Sequence, residues 1–123
     1  MQGSPFKGVR GIPRLVNALR FSMEGLAGAF RHEEAFRLEL FLAVALIPAS
    51  FFFAVSGAAR ALMIASVLLV LIVELLNSAV EAIVDRISTD PHPLAKRAKD
   101  IGSAAVFLSL INAAATWLLV LTS

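Results

Sequence analysis

The chain has 123 residues, of which 59% are hydrophobic and 16% charged, against about 45–50% and about 25% in ordinary soluble domains. The charges crowd into residues 7–39 and 81–100, so long stretches have nothing to offer water, which argues against a soluble domain. With 11 basic and 9 acidic residues the net charge is +2, and there is no cysteine. Disulfides, thiolate metal sites and cysteine nucleophiles are thereby excluded, and bases intermixed with nearly as many acids give no case for a nucleic-acid partner.

Residues 1–11 are glycine-rich, polar and basic and read as a flexible tail. No signal peptide is evident, because the first apolar run begins late and no small-residue cleavage site follows a basic start. Pro13 suits the first turn of a helix. From there Ile12, Leu15, Val16, Leu19, Met23, Leu26, Ala27 and Phe30 recur at spacings of three and four, with Arg14, Asn17, Arg20 and Glu24 between them. This pattern predicts an amphipathic helix over 12–30, suited to lying in a membrane interface; the blander alternative is a surface helix of a soluble bundle. RHEEAFRLE at 31–39 is dense in both signs. Leu40 to Ala59 is then free of charge, about 20 residues and enough to cross a bilayer core. A first membrane helix is expected over 36–56, with a kink or local break at Pro48 and Phe51 to Phe53 toward the far interface. A second is expected over 60–85, roughly 37 Å of helix. A polar loop follows over 86–100, then a third span over 101–122 with Trp117 as an interfacial anchor. The fold class is an all-α membrane protein, one domain over 1–123: an N-terminal amphipathic surface helix plus three transmembrane helices. Lys7, Arg10, Arg14, Arg20, Arg31 and Arg37 precede the first span, Arg86, Lys96, Arg97 and Lys99 lie between the second and third, and Arg60 alone falls on the other side. The positive-inside rule puts the N-terminus in the cytoplasm and the C-terminus on the opposite side.

The second span carries groups that do not belong in lipid. Glu74, Asn77, Ser78, Glu81 and Asp85 are spaced i, i+3, i+4, i+7 and i+11 and share one helical face. Glu74 lies about 16 Å along the helix from Asp85, where an ionisable group costs on the order of 3 kcal/mol. Such groups persist when they meet a partner, a metal or a water-filled cavity. Polar glue between helices would account for an asparagine or a serine, but not for three acids on one stripe, which repel. Glu33, Glu34 and Glu39 come just before the first span, at the depth where Glu81 and Asp85 emerge. Carboxylates from two helices could hold Mg²⁺, which completes its shell with water and phosphate oxygens; for any single member a solvated salt-bridge network is the alternative. Lys99 and Asp100 open the third span from the same side, and a lysine there suits a phosphate. His92, between Pro91 and Pro93, reads by composition as a structural loop residue. Ser109, Asn112 and Thr116 share a face beside many alanines, which reads as helix packing. No Walker loop, glycine-rich nucleotide flap or serine elbow is present.

ELLNSAVEAIVD at 74–85 and RAKDIGSAAV at 97–106 resemble the bacterial membrane diacylglycerol kinase family. Its Glu-x-x-Asn-[Ser/Thr]-Ala-x-Glu-x-x-Val-Asp stretch is matched at every defined position. HEEAFRLE looks like the family's acidic motif, and Arg14 sits where it has an arginine in its surface helix; the resemblance covers about residues 12–122. It implies a homotrimeric bundle in the cell inner membrane, with composite active sites, that moves the γ-phosphate of Mg-ATP to the primary hydroxyl of sn-1,2-diacylglycerol and gives phosphatidic acid. Partners would be the lipid alcohol, ATP and membrane lipids, with Mg²⁺ as cofactor and no nucleic acid. Carried onto this chain, Glu74 looks like the general base with Asn77 orienting groups beside it. Glu33 and Glu81 would be the metal carboxylates. ATP would be contacted by Arg14, Phe21, Glu33, Glu81, Asp90, Pro91, His92, Lys99 and Asp100, and the lipid by Arg14, Glu74 and Ser103. Phe21 lacks the hydroxyl a tyrosine would offer, and Pro91 has only its carbonyl. An undecaprenol kinase resembles the same motif and is the nearest rival. A small proton-coupled transporter subunit, with an intramembrane glutamate as proton carrier, and a purely structural membrane protein are the rivals from other classes.

Overall fold

A computed structural model describes residues 10–87 and 90–123; the tail reading for residues 1–9, and residues 88–89 of the polar loop, lie outside the described residues. Four α-helices follow one another: α1 (Ile12–His32), α2 (Glu34–Ala49), α3 (Gly57–Ile87) and α4 (Pro93–Thr122), with a 3₁₀ turn, Ser50–Phe52, closing α2.

The chain enters α1 through Gly11, whose φ of 69° is a left-handed conformation that glycine adopts without steric cost, and Pro13 then occupies the first turn. α1 runs past the expected end at residue 30, to His32. A single residue, Glu33, is extended (φ −116°, ψ 108°) and α2 begins directly after it, so the doubly charged segment is helix broken at one joint. Arg37 holds that joint. Its Nη1 donates to the carbonyls of Phe30 (2.8 Å) and Arg31 (3.1 Å), which the end of α1 leaves without helical partners, and its charge suits a helix C-terminus. Phe30 and Phe41 meet edge to face at 5.9 Å on the same elbow. No residue of α1 is buried, and Ile12, Leu15 and Leu19 are all more than half exposed; the described residues do not cover them.

The first span was expected over 36–56, but its helical part ends at Phe52 and residues 53–56 are connection. The cause is local: Pro48 lies inside α2 and brings no N–H to the ladder, the helix tightens into the 3₁₀ turn, and Phe53 turns extended (φ −91°, ψ 144°). Arg60 satisfies the carbonyls freed there. Its Nε donates to Ser50 O (3.0 Å) and its Nη2 to Phe53 O (2.8 Å) and Val55 O (3.4 Å), while the guanidinium lies 5.3 Å from the Phe51 ring centre. Ser56 Oγ accepts from Ala59 N–H at 3.1 Å and caps the start of α3.

α3 is the axis of the fold and packs against both α2 and α4. Its buried residues, Met63, Ser66, Val67, Val70 and Glu74, recur at three and four and form one stripe, against which Phe36 and Ala43 of α2 complete the core. Trp117, expected as an interfacial anchor, ties α4 to α3: its Nε1 donates to Met63 O at 3.1 Å, and its ring meets Phe53 edge to face at 6.4 Å. The expected loop over 86–100 is mostly helix, because α3 continues to Ile87 and α4 starts at Pro93. Charge marks where the chain reaches water, whereas Leu, Ala, Lys and Arg, which fill 94–99, are all good helix formers. The helices Glu34–Phe52, Gly57–Ile87 and Pro93–Thr122 are long and apolar enough to cross a membrane, which makes the chain a multi-pass membrane protein.

Candidate functional site

Glu74 is 5% exposed, at the end of the buried stripe of α3. The charges that bear on it most are those of Glu81, two turns along the same helix, and Glu33 at the α1–α2 joint; Glu74 bears in turn on Glu39 of α2. Four carboxylates, from two helices and the joint between α1 and α2, thus share one neighbourhood. The acceptors there are short of donors. Glu39 Oε2 and Asn77 Oδ1 are buried with no hydrogen-bond partner, and Asn77 Nδ2 donates to Glu81 Oε1 at 3.3 Å. Asn77, expected to orient groups beside Glu74, therefore bonds the neighbouring acid.

Assembling acids with unmatched acceptors in a protein interior is destabilising unless cations or donors arrive to pair with them. Among the described residues no three acidic or histidine side chains converge to hold a metal by themselves. Glu33 and Glu81 both bear on Glu74, and two carboxylates are a donor set of the kind Mg²⁺ takes from a protein, the rest of its shell being water and phosphate oxygens.

A second group of expected residues collects where α3 meets the start of α4. Asp90, Pro91, His92, Lys99 and Asp100 line an open cavity of about 690 Å³. Lys99 Nζ is paired with Asp85 Oδ1 at 2.6 Å, and Asp100 with Lys96 at 2.6 Å. Both pairs are largely exposed, so water competes with them and each holds its partner weakly. His92 has a structural task as well: its Nδ1 accepts from Leu94 N–H at 3.0 Å and caps α4. Glu33 lines a different groove, about 820 Å³ between α1 and α3, with Ser22, His32, Leu75 and Ser78. Arg14 and Phe21 lie on α1 away from the α3–α4 cavity, with Arg20 over the Phe21 ring at 5.3 Å. Ser103 is exposed on α4, beyond the cavity. One chain therefore brings the acids together and gathers part of the expected nucleotide set in the α3–α4 cavity, whose lining does not include Arg14, Phe21 or Ser103.

Glu39 was expected only as one of several acids before the first span that could hold Mg²⁺, with no role beside Glu74; it faces Glu74. A signal was available: Phe36, Glu39 and Ala43 are spaced i, i+3 and i+7, and Phe36 and Ala43 are the buried residues of α2, so Glu39 falls on the stripe that turns inward.

Comparison with known proteins places this pattern among relatives. The family described as prokaryotic diacylglycerol kinase matches residues 20–121, a region that holds every expected site residue except Arg14. A diacylglycerol kinase of Pseudomonas aeruginosa is 54% identical over 121 residues, 98% of each chain. One from Haemophilus influenzae is 51% identical over 87% of this chain and 91% of its own, and one from Escherichia coli K12 is 44% identical over 92% and 93%.

Proposed function

The chain belongs to the prokaryotic diacylglycerol kinase family, and from that membership we propose that it moves the γ-phosphate of ATP to the primary hydroxyl of a diacylglycerol, giving phosphatidic acid and ADP. The observation that carries this reading is the convergence of Glu33, Glu39, Glu74 and Glu81 with unmatched acceptors at the end of the core, where a lipid alcohol arriving sideways through the bilayer can reach them. Phosphoryl transfer asks for charge neutralisation and alignment more than for covalent chemistry, and an acid-rich site in a membrane helix answers that demand.

In this mechanism Glu74 accepts the proton of the lipid hydroxyl as its oxygen attacks the γ-phosphorus and ADP leaves. Glu33 and Glu81 would hold Mg²⁺, which would neutralise the phosphate oxygens. Asn77 steadies Glu81 through its Nδ2 bond. Lys99 exchanges Asp85 for a phosphate oxygen, an exchange open to it because that pair is exposed. Asp100 and the Asp90–His92 turn border the nucleotide, Arg14 and Phe21 approach it from α1, and Ser103 meets the lipid. α1 lies as an amphipathic helix in the inner interface, which supplies the apolar cover that Ile12, Leu15 and Leu19 lack within the chain. The N-terminus is cytoplasmic and the C-terminus on the far side of the inner membrane. The separation of Arg14 and Phe21 from the α3–α4 cavity supports a homotrimer whose sites draw residues from neighbouring copies.

Purified protein in mixed micelles with Mg-ATP should phosphorylate diacylglycerol at least about tenfold faster than undecaprenol, compared as kcat/KM. The reverse preference would move the chain to the polyprenol branch. ATP consumption that ignores added lipid would remove the kinase reading and return the transporter.

A further inference from the structure

We propose that Gly102 is a positioning residue for the phosphoryl-transfer site: the space left by its missing side chain seats the Asn77 amide oxygen, and that seat aims Asn77 Nδ2 at Glu81. The inference rests on the reading of Glu81 as a metal carboxylate. An added Cβ would meet nothing within 4 Å at Gly11, Gly25, Gly28 or Gly57. At Gly102 it would collide with Asn77 Oδ1 and stand 3.1 Å from Asn77 Cγ and 3.9 Å from its Cβ. All three atoms belong to one side chain, on α3, reaching across to α4.

The same oxygen is buried without an N–H or O–H donor. Where an L-residue would project its Cβ, glycine presents a Cα–H, so a weak Cα–H···O contact is what Oδ1 receives. The orientation is also chemically forced. With the oxygen toward Gly102, the NH₂ group faces Glu81 Oε1 at 3.3 Å; the flipped amide would set an oxygen against a carboxylate. Glycine inside a helix is a poor helix former beside alanine, and the Asn77 amide supplies the reason for it between Ile101 and Ser103. A methyl group there would drive the amide out of its seat and take the Nδ2 bond from Glu81.

Gly102→Ala in the full-length protein should lower kcat about tenfold and raise the Mg²⁺ half-saturation several-fold, with the lipid KM changed by less than about twofold. Loss of helix packing alone would not single out the metal dependence. Thermal unfolding closes the argument through a double-mutant cycle. With Asn77→Ala in place the two methyl carbons would stand 3.9 Å apart, an ordinary contact, so Gly102→Ala should cost nothing further even if the single variant folds poorly. Parental kcat and Mg²⁺ dependence in Gly102→Ala, or an equal loss of stability with and without Asn77, would overturn the proposal. If Asn77→Ala itself kept full activity and metal dependence, the site reading beneath the proposal would fail, and the cycle would still report whether the contact exists.

Discussion

The two ends of α3 handle polar groups in opposite ways. At the Arg60 end, donors are matched to acceptors: the guanidinium meets the carbonyls of Ser50, Phe53 and Val55, and Trp117 Nε1 meets Met63 O. At the Glu74 end, carboxylates face one another and two buried oxygens have no donor. The first end is finished by the chain alone. The second is left incomplete, and under the proposed function a magnesium nucleotide and a lipid alcohol would bring the cations and the proton donor it lacks. Under that same proposed function, stability and function are separated along one helix.

That contrast can be broken at several points. The largest effect is expected at Glu74: Glu74→Gln should lower kcat by about a thousandfold, within the range general-base loss produces, while size-exclusion and thermal unfolding stay parental. Activity above about a tenth of the parent would mean that another group takes the proton. Arg60→Met should do the converse. Freed carbonyls at the close of the 3₁₀ turn should cost about 1–3 kcal/mol of stability, read by thermal unfolding in detergent, with kcat per folded molecule unchanged; a kinetic loss without a stability loss would show the two ends to be coupled. The smallest change is the most diagnostic. Glu39→Gln removes one of the facing charges and should stabilise the protein by about 1 kcal/mol while lowering activity, the trade expected of a strained site. If it destabilised, Glu39 would be a structural partner and no part of the surplus.

Much of the acidic face was legible because it lies within one helix. Periodicity alone sets Glu74, Asn77, Glu81 and Asp85 on one side of α3, and the structure keeps that face. What stayed hidden involved relations between helices or the limits of charge as a guide. Glu39 was visible only as one more acid before an apolar run, since its significance comes from Glu74 on another helix. Arg60 read as the lone charge of its side, and its capping task depends on where the 3₁₀ turn ends. α4 was expected from Ile101 because the preceding charges suggested a loop, although Ala98 and Lys99 favour helix as readily as the apolar residues after them. Gly102 carried no expectation beyond its place in RAKDIGSAAV, because the amide pressed against it belongs to α3.

The joint at Glu33 has a consequence for how this chain can change. Most connections between helices tolerate extra residues, yet here the connection is one residue long, it carries an acid of the cluster, and Arg37 clamps the carbonyls on its far side. Inserting or deleting a residue next to it would turn one helix against the other by about 100°. Such a change would send Glu33 off its bearing and swing the apolar side of α1 to a new direction, so variation in length is not expected at the elbow.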